Sequence, residues 1–253
     1  MAPIKFGVGQ SVLRKEDDAL IRGKGRYTDD HAPATLHALV LRSPHAHAKF
    51  TIDATHARGL PGVATILTTD DVEDLGSLPC LFNLEVDPFT GPPYPILAAG
   101  EARHVGDAVA FVVADTIDHA RDAVEAIEVD WTPLPAAIGV VNAVKKDAPQ
   151  VWPDHAGNVL FDVPIGDKKA TEAAFAKAHA VAEISIVNPR IVTNFMETRA
   201  VVCEYDAKRD HLTLTIGSQG SHRLRDILCQ NILKIPVDKM RVICPDVGGG
   251  FGT

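Results

Sequence analysis

The chain has 253 residues, a formal net charge of −8, 46% hydrophobic and 23% charged residues, which fits an ordinary soluble protein of one or two domains. The negative balance and the lack of any Lys/Arg-rich block argue against a nucleic acid or an anionic membrane surface as partner. The opening Met1-Ala2-Pro3-Ile4-Lys5-Phe6 holds no apolar core of signal-peptide length, and no run nears the ~20 apolar residues of a membrane span, so the cytoplasm is the expected location.

An irregular arm at 1–18 contains Gly7-Val8-Gly9-Gln10 and leads into a short helix, Glu16 to Arg22, with acids in its first turn and a stop at Gly23. After the turn Gly25-Arg26-Tyr27-Thr28-Asp29-Asp30, Thr35–Leu41 reads as a strand. In Arg42-Ser43-Pro44-His45-Ala46-His47-Ala48 the two histidines at i, i+2 share a strand face and could in geometry hold a metal. Pro44 and the small alanines favour a tight bend whose histidines bond backbone, and no third ligand accompanies them. Asp53–Arg58 is a capped helical turn ended by Gly59. Val63–Leu67 is a strand, and Thr69 can cap the acidic helix Asp70–Leu75. From Gly76 to Gly100 the proline-rich text is either a functional or a flexible loop, and the sequence leaves that open.

The unbroken apolar run Asp107–Ala114 reads as a buried strand. Ile117, Ala120, Val124 and Ile127 then share a helix face, and Glu128–Trp131 returns as a strand. Residues 136–164 form a connector broken by Pro149, Pro153 and Gly157. Beyond it, Ala170–Ala178 is a helix by propensity. Ala180–Val187 partly alternates as a strand would, and Ala200–Tyr205 with Leu212–Ile216 reads as a hairpin. Glu197 and Arg199 lie on one strand face and could form a structural ion pair. Cys80, Cys203, Cys229 and Cys244 show no C-x-x-C pair, so neither zinc nor an iron–sulfur cluster is indicated on this chain, and Cys203 and Cys244 are expected in the core. The fold class is α+β, with expected domains at 19–135 and 165–253.

Gly217-Ser218-Gln219-Gly220 turns out of the second hairpin strand into a helix capped by Ser221, whose Leu224, Ile227, Leu228 and Ile232 share a face. Taken alone, Gln219 satisfies local backbone. The strand Met240–Cys244 runs into Pro245-Asp246-Val247-Gly248-Gly249-Gly250-Phe251-Gly252-Thr253. Successive glycines let a ligand approach main-chain N–H groups, which can line a nest for an oxyanion. A bland surface turn is the alternative. A dinucleotide-binding turn fails on spacing, since the last place of G-x-G-x-x-G is Thr253.

Asp246 to Gly252 resembles the glycine-rich cofactor loop of the molybdenum hydroxylases, the family of xanthine dehydrogenase, aldehyde oxidoreductases and the aerobic carbon monoxide dehydrogenase large subunit. Gly23–Asp30, Arg42–Ala48, Leu60–Val63, Val105–Ala110 and Val129–Pro135 resemble, in this order, the family's N-terminal α/β hammerhead domain. The resemblance implies a hammerhead domain followed by the start of a mixed α/β molybdopterin-binding domain. It assigns Gln219 to a glutamine that bonds an oxo group on molybdenum, and Gly249, Gly250, Phe251 and Gly252 to the cofactor loop. It places Glu197 in the floor of the cofactor domain as a structural residue.

The activity implied is hydroxylation of a C–H bond of an aldehyde or N-heterocycle with oxygen from water, or oxidation of carbon monoxide. The implied cofactor is molybdenum–molybdopterin, as the cytosine dinucleotide form in a bacterial enzyme. Electrons would leave to iron–sulfur and FAD partner subunits. The base glutamate of the family is expected beyond residue 253, so no catalytic residue and no protein ligand to a metal is assigned here. Family large subunits continue past the glycine loop, so the resemblance covers their N-terminal third, and the remaining part of the large subunit is an expected partner. The isolated chain is expected to be inactive. The alternative is a truncated or split-subunit scaffold that serves protein–protein contact.

Overall fold

The computed structural model describes residues 12–31, 36–79, 91–92, 94–189 and 191–252. Gly7–Gln10, Cys80, Thr253 and residues 80–90 and 93 of the turn-rich stretch lie outside the described residues. In chain order the elements are α1 (Asp17–Leu20), β1 (His37–Arg42), β2 (Ala48–Asp53), α2 (Thr55–Arg58), β3 (Val63–Leu67), β4 (Glu101–Ala102), β5 (Ala108–Ala114) and α3 (Ile117–Ala126). They continue with β6 (Glu128–Pro133), α4 (Val140–Ala143), α5 (Lys168–Ala176), β7 (Val201–Asp206), β8 (His211–Ile216), α6 (Ser221–Ile227) and β9 (Met240–Ile243), with short 3-10 turns at Thr28–His31, Thr69–Val72, Ala156–Asn158 and Val237–Lys239. The chain divides into two compact units, one of residues 34–192 with 227–235, the other of residues 1–33, 193–226 and 236–253.

In the first unit two antiparallel three-stranded sheets form, in the orders β1-β5-β3 and β4-β2-β6. The apolar run that predicts β5 is at its centre, with Val109, Ala110, Val112 and Ala114 almost fully buried. α3 packs on β1 and β5, and its buried positions are Ala120 and Ala123. Alanines on both surfaces remove the side-chain layer that would hold helix and sheet apart, and Ile66 and Ile127 fill what remains. The strands flanking α3 enter different sheets, β5 the first and β6 the second. The second sheet closes its own cluster of Phe50, Ala98, Ala102 and Val109, against which Trp131 packs. At the start of α3 the Thr116 side chain accepts from His119 N–H, while Ser221, expected as a cap, is the first residue of α6 itself. At the acidic turn it is Thr68, not Thr69, that caps, through its N–H and hydroxyl to the Asp71 carboxylate (2.8 and 3.0 Å).

Asn158 ties three parts of the connector together. Asn158 donates from Nδ2 to the carbonyls of Ala143 and Pro149 (both 2.8 Å) and accepts from Val151 N–H (2.8 Å). Residues 178–189 and 191–200 form no strand, so the one expected at Ala180–Val187 is absent; Ile184, Val187 and Val192 are 80–88% exposed. Alternation supplies a face, but a strand exists only where a neighbour accepts its ladder.

In the second unit β7 and β8 form the expected antiparallel hairpin, and β9 adds in parallel to β8. Cys203 on β7 is exposed and Cys244 is half-buried, against the expectation that both are core residues. β7 is an edge strand, and its burial pattern leaves most of its residues in solvent.

Both tryptophans, Trp131 and Trp152, lie in the first unit, so their fluorescence during urea unfolding reports that unit. Ile66→Ala, at a side chain 2% exposed, should cost about 3 kcal/mol by this measurement. Val187→Ala, at 88% exposure, should stay within about 0.5 kcal/mol.

Candidate functional site

In the second unit three segments meet at the carboxylate of Glu197. Its Oε1 accepts from the Thr28 N–H (3.2 Å) and hydroxyl (3.1 Å), and its Oε2 accepts from Gly248 N–H (2.6 Å). The Thr28 hydroxyl, which donates to Glu197, accepts in turn from Gly217 N–H (2.9 Å). Thr28 is buried, at 1% exposure. The turn that carries it is held on both sides: Tyr27 N–H donates to Asp30 Oδ2 (2.9 Å), and Arg26 N–H donates to Asp246 Oδ2 (2.8 Å) while Asp246 N–H returns a bond to Arg26 O (3.2 Å).

Burial pushes the Glu197 carboxyl up, but the bonds from Gly248 and Thr28 outweigh it and hold the group below the usual glutamate range. An ionised carboxylate is acceptor-only, and every partner here is a donor. Arg199 is engaged elsewhere, with its guanidinium 5.0 Å from the Phe195 ring centroid. The ion pair that shared strand parity suggests between Glu197 and Arg199 is not among the ion pairs of the described residues.

The glycines of the terminal loop are required by close approach. A Cβ on Gly248 would overlap the Glu197 side chain, one on Gly249 would lie 2.6 Å from Phe195 Cβ, and one on Gly250 would lie 2.5 Å from Gln219 Cγ. Gly217, in the other loop, would place a Cβ 2.9 Å from Glu197 Oε2. Gly249, Phe251 and Gly252 all take positive φ (133°, 48° and 86°). Gly252 N–H, which the resemblance assigns to the cofactor, donates to Gln219 Oε1 (3.2 Å). Because that N–H can only donate, the oxygen of Gln219 faces it and the NH₂ end of the amide is turned away from it.

The structure therefore joins the two separately identified motifs, Gln219 and Gly249–Gly252, side by side. A Cβ on Gly220 or Gly252 would meet no heavy atom within 4 Å, so the ground adjoining Gln219 is bare backbone beside open space. Phe251 stands 74% exposed at the loop tip. A cavity of about 460 Å³ opens alongside, lined by Tyr27, Asp29, Met196, Glu197, Thr198, Ala200 and Gly248. The lining of that cavity includes Asp29 and Glu197 and none of Gln219 or Gly249–Gly252, so it is the amide and main-chain N–H groups of the two loops, apart from the cavity, that suit an oxo-bearing group. Sequence reasoning gave Thr28 and Asp246 no role at the site; the signal available was their presence in two of the quoted motifs.

The histidine pair in the first unit is structural. His47 bonds Pro135 O through Nδ1 and Glu101 Oε1 through Nε2 (both 2.9 Å), and His45 packs on Trp131 with ring centroids 5.2 Å apart.

Two family descriptions match the chain: "Aldehyde oxidase and xanthine dehydrogenase, a/b hammerhead domain" over residues 22–135 and "Molybdopterin cofactor-binding domain" over residues 151–253. The carbon monoxide dehydrogenase large chain of Afipia carboxidovorans is 36% identical over 98% of this chain and 31% of its own length. The nicotine 6-hydroxylase large subunit of Paenarthrobacter nicotinovorans is 31% identical over 97% of this chain and 30% of its own length. Among solved structures, quinoline 2-oxidoreductase from Pseudomonas putida 86 superposes with a TM-score of 0.84 at 36% identity, covering 96% of this chain and 31% of that one. The chain thus spans about a third of the length of these relatives.

Two outcomes follow from the Glu197 geometry. The folded-state carboxyl is held low, so its contribution is complete above the unfolded glutamate value of about 4.3 and is lost as pH falls through the folded value. Wild-type stability, followed by far-UV circular dichroism on acidification, should therefore drop more steeply below about pH 4.3 than that of Glu197→Gln. Gly250→Ala should destabilise the second unit by at least about 1 kcal/mol through its clash with Gln219, read as faster proteolysis after residue 193.

Proposed function

The chain belongs to the molybdenum hydroxylase family, with its hammerhead and molybdopterin-binding descriptions matched over residues 22–135 and 151–253, and on that premise we propose that it contributes one wall of a molybdopterin site. The observation carrying this reading is the Gly252 N–H to Gln219 Oε1 bond of 3.2 Å, which locks the glycine loop to the glutamine turn. When bound, molybdenum–molybdopterin supplies the two-electron acceptor with which an electron-poor carbon is hydroxylated by oxygen from water.

The chain's own residues bind and orient. On this reading the Gln219 amide serves an oxo group, and the main-chain N–H groups of the glycine loop, which packs on Glu197, Phe195 and Gln219, serve the adjoining pterin. Gly249 turns the chain, at φ 133°, so that these groups follow one another. Gly252 acts on the amide of Gln219 and keeps it oriented. Donors fixed before the reaction contribute about 3 kcal/mol to a developing negative charge, because they need no reorganisation. The proposed substrate is a small molecule with an electron-poor carbon, in the range of aldehydes, N-heterocycles and carbon monoxide, and the proposed electron acceptors are iron–sulfur and FAD partners.

The exposed apolar run through Ile184, Ile186, Val187, Ile191 and Val192 supports packing against further polypeptide, of the kind the relatives' greater length would supply. A scaffold role in protein–protein contact draws on the same run and forms the second reading. Among the described residues no helix is long and apolar enough to cross a membrane.

Purification from the native source without denaturants, with elemental molybdenum and the masses of co-eluting polypeptides measured together, tests both. Near-stoichiometric molybdenum with a larger partner is the expected result; a metal-free lone chain supports the scaffold. In the loaded assembly Gln219→Ala should lower turnover on the order of a hundredfold while reducing molybdenum content far less.

A further inference from the structure

One carboxylate reaches both loops of the proposed cofactor site, and it reaches them by two separate arms. The first arm is direct: Gly248 N–H donates to Glu197 Oε2 (2.6 Å) at the root of the glycine loop. The second is a relay: Gly217 N–H donates to the Thr28 hydroxyl (2.9 Å), which donates to Glu197 Oε1 (3.1 Å). Gly217 lies two residues before Gln219. Both loops also need glycine at the contact, because a Cβ on Gly217 or on Gly248 would meet the Glu197 side chain. The loops touch again at their far ends, where Gly252 N–H meets Gln219 Oε1 (3.2 Å). The result is a closed ring of bonds: Glu197, Gly248, along the loop to Gly252, across to Gln219, back to Gly217, through Thr28 to Glu197.

We infer that Glu197 is a positioning residue: it sets the orientation of the Gln219 amide and of the glycine loop together, acting through Thr28, Gly217 and Gly248 and without touching the cofactor itself. A carboxylate suits this task and an amide does not. Glutamine at 197 would have to turn an NH₂ toward either Gly248 N–H or the Thr28 donors, setting donor against donor. Thr28 is needed for its hydroxyl, which both accepts and donates, a pairing that valine of the same shape lacks. The inference rests on the molybdopterin reading for what the two loops hold, whereas the coupling of the loops rests on the hydrogen bonds alone.

The test compares Glu197→Gln, Thr28→Val and Thr28→Ser in the full 253-residue chain by site-resolved amide hydrogen exchange, with β8 as internal reference. Thr28→Val should speed exchange at 217–220 on the order of tenfold, the worth of one hydrogen bond, and leave 248–252 nearly unchanged. Glu197→Gln, whose one oxygen can face only one arm, should speed by a similar factor the loop that its NH₂ faces with β8 unmoved, and Thr28→Ser should keep wild-type rates. Acceleration of β8 in parallel with the loops would make Glu197 a general brace and overturn the inference, as would unchanged loops. Should Glu197→Gln fail to fold, the Thr28→Val and Thr28→Ser pair decides at Gly217 by itself.

A second readout is molybdopterin content of the chain purified with its co-eluting polypeptides. Both Glu197→Gln and Thr28→Val should retain severalfold less than wild type. Equal retention in variants and a loaded wild type refutes the positioning role alone. A wild type carrying none refutes the molybdopterin reading and with it the cofactor part of the inference, while the exchange data still judge the clamp.

Discussion

The ionised carboxylate of Glu197 is the constraint on which the second unit is arranged. It is an acceptor with no proton of its own, and it is met only by donors, from Thr28 and Gly248 directly and from Gly217 through the Thr28 hydroxyl. Three chain segments distant in sequence are thereby fixed to one point. The balance between burial and donated bonds comes out in favour of the charge, so the group holds its place as an anion at neutral pH. Such a centre tolerates little change in shape. The backbone of Gly217 and Gly248 approaches the side chain closely enough that a methyl group would collide with it.

The first unit solves a different problem by a different route. Its stability comes from apolar contact, and its distinctive device is the alanine-lined seam between α3 and β5, with Ala110, Ala114, Ala120 and Ala123 fully buried. Small residues on both surfaces bring backbone close to backbone, and dispersion contacts accumulate over the seam. Polar side chains in this unit order segments. Asn158 ties the connector through three bonds of 2.8 Å, and His47 ties the bend before β2 to Pro135 and Glu101.

These two styles of construction fit a division of labour. A tightly packed α/β body needs no precise polar network, whereas the proposed cofactor wall would have to present donors at fixed positions and so depend on one. The glycine loop illustrates the second case. Its glycines serve both faces: inward they admit Glu197, Phe195 and Gln219 at distances no other residue allows, and outward Gly252 leaves bare backbone beside open space. The exposed apolar run near Ile184 to Val192 belongs to neither style, and its β-branched composition is that of a strand without a neighbour.

Much of the fold was legible in the chain because its signals are local. The apolar run of β5, the helical face of α3 and the hairpin of β7 and β8 depend on residues a few places apart, and periodicity reveals them. The glycine run at 248–252 stands out in the same way, whereas Gln219 taken alone reads as a local backbone partner and is singled out only by the family resemblance of its turn. The strand expected at Ala180–Val187 and the buried placement of Cys203 failed for a related reason, since pairing and burial depend on what lies alongside, which composition does not record. Sequence parity likewise offered Arg199 as the partner of Glu197, because two residues on one strand are the only neighbours a linear reading can see. Only the tertiary structure decided that Glu197 bonds Thr28 and Gly248, 169 and 51 residues away, and that Gln219 meets Gly252. A hydrogen bond needs two atoms within about 3 Å, and for residues so far apart in the chain that distance is set by the whole fold and leaves no periodic trace in the amino acids between them.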